Sequence, residues 1–155
     1  MENNPSEKFD TFFMADIDST LKECFEKGGT FTVYPKGKSM LPALKQGRDS
    51  VELSPVTSIK KGNIYLYKRP SGEYVLHRLH REKDGEYIFC GDNQLVFEKV
   101  ENSQLLAVVS RIYRNGKPAN KIFIYKITVF LNSFIPLRKL RIRISSFSRR
   151  FFKSK

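Results

Sequence analysis

Three residues of this chain are of types that together make a hydrolytic centre: Ser39, His77 and Asp92. A serine hydroxyl is a poor nucleophile until a base removes its proton, and histidine is the usual base. The chain has only two histidines, His77 and His80, both in "YVLHRLHRE". An imidazole base works better when a carboxylate fixes its tautomer. Asp92, in "CGDNQ", follows the segment that turns back toward the histidines. Ser39 lies in "GKSMLPALKQGRDSVEL". Each residue also has a plainer explanation. A serine near a glycine and a proline shapes loops, Gly-Asp-Asn is an ordinary turn, and a core histidine is often simply hydrogen-bonded. The elements around them decide whether the three can meet.

Residues 10–27 have helical spacing, with Phe13, Ile17, Leu21 and Phe25 on one face, Asp10 as N-cap and Gly28-Gly29 as the stop. The period then changes to that of strands. "TFTVYP", "SVELSP", "NIYLYKR", "EYVLHRLHRE", "EYIFC" and "LLAVVSRIYRNGK" are short, rich in β-branched and aromatic residues, and separated by turn signals. One helix followed by such strands predicts a mainly β fold. On its strand His77 shares a face with Val75 and Leu79, and His80 shares the other with Arg78, so His77 is the residue aimed at the core. The turn Lys83–Glu86 predicts a hairpin that brings Phe89–Cys90 beside Leu79–His80, with Asp92 further along toward His77. A Ser39–His77–Asp92 triad is therefore geometrically possible.

The 155 residues are enough for one compact domain with extensions. The net charge of +12 resides mostly in the tail: residues 121–155 hold ten Lys or Arg and no acidic residue. This removes most of the case for nucleic-acid binding by the chain as a whole, and the N-terminal helix has no second helix behind it to make a helix-turn-helix. "KIFIYKITVFLNSFIPL" is apolar but broken by Lys126, Asn132 and Pro136, short of the roughly 20 residues a spanning helix needs. Beyond it, Leu137, Leu140, Ile144, Phe147 and Phe151 share one helical face, with Arg138, Lys139, Arg141, Arg143, Arg149 and Arg150 around the rest. That is the pattern of a helix lying on an anionic membrane. A solvated basic arm, a nucleic-acid arm or a strand through "LRIRIS" are the other readings. The opening "MENNPSEKFD" is polar, with no long apolar run behind it, so no secretory signal is expected. Cys24 and Cys90 have no metal-ligand spacing and are expected to be reduced and buried. The expected organisation is a tail and helix over 1–28, a β domain over 29–118 and a basic amphipathic extension over 119–155.

Taken in order, "GKSMLPAL", "KKGNIYLY", "YVLHRL", "YIFCGDNQ" and "LLAVVSRIYRNGK" resemble the type I signal peptidases and their SOS-repressor-like autoprotease relatives, over roughly residues 30–117. Bacterial type I enzymes carry a lysine base before a conserved arginine. Here that pair is His77-Arg78, similar to the Ser-His branch of the family. The resemblance implies a signal-peptidase-like β domain and a serine endopeptidase acting on a signal- or leader-like peptide, with no metal and no cofactor. It implies Ser39 as nucleophile, His77 as general base and Asp92 as supporting acid, with Gly37, Met40 and Pro42 in oxyanion and substrate binding. Gly37 stands where the family commonly has a serine, which leaves backbone N–H groups, including that of Ser39, as oxyanion donors. The glycine boxes are altered as well, by Arg48 and by Asn63. They motivate the alternative of a non-catalytic member of the fold that binds a membrane or a partner. The basic tail would place the protein peripherally at the cytoplasmic face of a membrane, or in the cytoplasm without that contact.

Overall fold

The computed structural model describes residues 17–83 and 85–119. They form one helix, α1 (Ile17–Glu26), and eight strands: β1 (Phe31–Val33), β2 (Asp49–Ser54), β3 (Ile64–Lys68), β4 (Tyr74–Lys83), β5 (Glu86–Cys90), β6 (Glu98–Val100), β7 (Leu105–Arg114) and β8 (Lys117–Pro118). The mainly β expectation holds. All pairings are antiparallel, in the order β1-β2-β7-β3-β4-β5-β6, with β8 folding back on β7 through the Asn115-Gly116 turn. The basic extension over 119–155 lies almost wholly outside the described residues, as does the helix expected before Ile17.

Apolar residues alternate along the strands, so the sheet carries a core on each face. On one face α1 places Leu21 with Leu53, Ile64 and Leu66, with Ile17 and Phe25 packed beside them. These are the i, i+4 and i+8 positions of the helical stripe. Gly28, at φ +73°, ends the helix where the chain needs a left-handed residue. On the other face Tyr65, Tyr67, Leu79, Phe89 and Val100 form a second cluster. β3 supplies both clusters in alternation, as a strand of period two must.

Two details of this sheet decide the site. The first is a register shift between Leu79 and Arg81, one extra residue at His80. An unbulged Lys83–Glu86 hairpin would set Cys90 beside Leu79, and Asp92 level with His77. The observed pairs are Leu79 with Phe89 and Arg78 with Cys90. The next step along brings Gly91, rather than Asp92, level with His77. The second detail is β6, which the sequence reading omits. Its three residues pair with β5 and carry Glu98 to the edge of the second core.

Neither cysteine is in a disulfide: Cys90 is buried as expected, while Cys24 is only half-buried.

Candidate active site

Ser39 lies in the loop between β1 and β2, and that loop is held at several points. Met40, 4% exposed, and Leu44 are buried in the helix-side cluster and anchor the loop from beneath. The Gly37 N–H donates to Gln46 Oε1 at 2.8 Å, with Gly37 at φ +81°. At the far end the Lys45 N–H donates to Asp49 Oδ2 at 2.8 Å, and Arg48 forks onto the same carboxylate. Burial alone would raise the Asp49 carboxyl. The Arg48 bonds and the Lys45 N–H outweigh it and hold Asp49 below the usual carboxylate range.

The turn after β5 grips the loop from across the site. The Asn93 N–H donates to the Ser39 carbonyl at 2.7 Å, and Asn93 Nδ2 donates to the Lys38 carbonyl at 3.2 Å. "GDN" is therefore more than a turn: its asparagine holds the carbonyls of the two peptide bonds that flank Ser39. Its glycine is required by space. A Cβ built on Gly91 would fall 2.8 Å from the Ser39 carbonyl oxygen and 3.0 Å from His77 Nε2. The imidazole and the Ser39 backbone thus close on one point from two sides. Gly91→Ala must push them apart. Overpacking of this kind is expected to cost about 1–3 kcal/mol of stability. Urea unfolding of the variant beside the parent chain tests this.

His77 is 1% exposed on β4, on the core-facing side the strand period predicted. Its Nδ1 lies 3.0 Å from the Tyr67 hydroxyl on β3 and 3.5 Å from Glu98 Oε1 on β6. The Tyr67 hydroxyl also lies 3.1 Å from Glu98 Oε2, and Arg69 clasps Glu98 through Nε at 2.8 Å and Nη2 at 2.5 Å. The Arg69 bonds, against the opposing effect of burial and with help from Tyr67, hold the Glu98 carboxyl below its ordinary range. Burial first, and the neighbouring Glu98 charge second, push the Tyr67 phenol far above its usual value, so it keeps its proton.

Asp92 is fully buried, at 0% exposure, and both its oxygens accept from Arg78: Oδ1 from Nε at 2.8 Å and Oδ2 from Nη2 at 2.7 Å. Arg78 Nη1 also donates to the Gly62 carbonyl at 2.5 Å. The alternation of β4 assigned Arg78 to the face away from the core. It is buried nonetheless, because Asp92 and Gly62 supply the partners that a buried guanidinium needs. Sequence reasoning also missed Glu98, Tyr67 and Arg69. The one signal available was an acidic residue in the run "LVFEKV", which carries no motif.

Ser39 and His77 line one cleft of about 740 Å³. Its walls are largely apolar, with Phe31, Val33, Leu66 and Leu76 among them, and Gly37 and Met40 also contribute. Pro42 is exposed and outside the lining, so of the residues expected to bind oxyanion or substrate, Gly37 and Met40 reach the cleft. The cleft lies between two strand edges. Among the described residues β1 pairs only with β2, and the Tyr74–His77 half of β4 pairs with β3 alone, because β5 reaches no further than Arg78. No helix among the described residues is long and apolar enough to cross a membrane. Compared with protein-family models and with curated proteins, the chain matches none.

Proposed function

We propose that this protein is a serine endopeptidase of the Ser-His signal-peptidase type. The observation that carries the reading is the shared cleft: Ser39 and His77 line it together, and His77 Nε2 and the Ser39 carbonyl oxygen flank the same point, 3.0 Å and 2.8 Å from where a Gly91 Cβ would stand. In the reaction the Ser39 hydroxyl attacks a peptide carbonyl as His77 Nε2 takes its proton. The Ser39 backbone N–H stabilises the oxyanion. His77 then returns the proton to the departing amine, leaving an acyl group on Ser39 that water removes.

The substrate enters as an extended segment between the open edges of β1 and β4, its backbone bonded to strand edges and alternate side chains set in pockets. The cleft walls select small or apolar side chains, as in a leader or signal-like peptide. The basic segment 121–155 holds the enzyme near anionic membrane, where such peptides collect.

The test compares protein N-termini in cells carrying the parent chain or Ser39→Ala. A defined set of mature N-termini is expected to vanish in the variant, with the unprocessed precursors in their place. Identical N-termini in the two strains, with the variant folded and present at equal level, would overturn the proposal.

A further inference from the structure

We propose that Glu98 is the positioning carboxylate of His77, acting through the Tyr67 hydroxyl and held in place by Arg69. The inference rests on the peptidase reading and assigns a role to residues that reading does not use.

The argument is an inventory of protons. An ionised carboxylate only accepts hydrogen bonds, and the two-nitrogen clasp of Arg69 keeps Glu98 ionised. The Tyr67 hydroxyl has one proton to give. It lies within hydrogen-bond distance of two groups, Glu98 Oε2 at 3.1 Å and His77 Nδ1 at 3.0 Å. The anion takes that proton, so the tyrosine offers His77 a lone pair. Nδ1 must then carry a hydrogen to bond to it. A neutral imidazole with its hydrogen on Nδ1 has a bare lone pair on Nε2, the nitrogen beside Gly91 and the Ser39 loop. This is the one neutral tautomer that can receive the Ser39 proton. When it does, the new imidazolium has Glu98 Oε1 3.5 Å from Nδ1 as a compensating charge. The proton of Ser39 passes to Nε2 and on to the leaving amine; Tyr67 and the ionised Glu98 keep their own states throughout.

Burial strengthens each link, since a hydrogen-bond chain in a dry site is stronger electrostatically than in water. The charged and titratable groups around the imidazole are Tyr67 from β3, Glu98 from β6 with its Arg69, and the Arg78–Asp92 pair at the next position of β4. Of these, Tyr67 and Glu98 are the ones at Nδ1.

The test is long-range ¹H–¹⁵N NMR of the full-length chain, with His77 distinguished from His80 by a His77→Gln variant. Neutral His77 is expected to carry its hydrogen on Nδ1 in the parent chain. Glu98→Gln is expected to lower the His77 titration midpoint by about one pH unit or more, because it removes a negative charge that favours the imidazolium. A hydrogen on Nε2 in the parent chain, or an unmoved midpoint in folded Glu98→Gln, overturns the proposal. The tautomer measurement decides the matter if Glu98→Gln does not fold. Neither readout requires cleavage, so a failure here is distinct from a failure of the peptidase reading, which appears as unchanged N-termini with Ser39→Ala.

Discussion

On the proposed peptidase reading, His77→Ala is expected to abolish cleavage as completely as Ser39→Ala, each by about a million-fold, with the double variant no slower than either single one. On that reading the two residues perform one step. Without the imidazole, the Ser39 hydroxyl faces the carbonyl with its proton still attached; without the hydroxyl, the imidazole has no proton to take. Removing the second partner then removes nothing further. Single-turnover kinetics on a peptide taken from the altered N-termini would measure this. Losses that multiply in the double variant would show that Ser39 and His77 act independently, and would sink the shared mechanism.

Asp92→Ala is expected to reduce stability by about 3–5 kcal/mol, because it leaves Arg78 as a buried charge without its carboxylate. That is a large part of the roughly 5–15 kcal/mol that holds a domain together. Arg78 is 6% exposed and has the Gly62 carbonyl as a further acceptor, which cannot neutralise it. The comparison that isolates the cause is the double variant Arg78→Met/Asp92→Ala. It removes the orphaned charge, and should be more stable than Asp92→Ala alone. Urea unfolding of both variants gives the answer. A single variant within about 1 kcal/mol of the parent, in the range of an exposed pair, would mean that Arg78 finds water or another acceptor. The same turn grips the Ser39 carbonyl through Asn93, so Asp92→Ala should also loosen the cleft around Ser39.

These expectations separate what is legible along the chain from what is not. The helix stop at Gly28-Gly29, the turns at Lys83–Glu86 and Asn115-Gly116, and the core-facing side of His77 all follow from local rules: glycine's tolerance of positive φ and the period of two along a strand. Strand β6 was not legible. Three residues, two of them charged, show no period, and they become a strand only because β5 offers an unpaired edge. The extra residue at His80 was not legible either. Alternation and turn position predict an unbroken register, and a bulge is chosen by what packs on both faces at once.

The sequence by itself determined the mainly β class, six of the eight described strands, and the candidates Ser39, His77 and Asp92. Only the tertiary structure decided which charged groups meet. The bulge carries Gly91 level with His77, Asp92 pairs with Arg78, and β6 brings Glu98 to the His77 Nδ1 and to the Tyr67 hydroxyl that β3 supplies. The physical reason is range. A strand's facing is set by each residue's own backbone, but an ion pair is set by groups on different strands, and one inserted residue changes which of them meet.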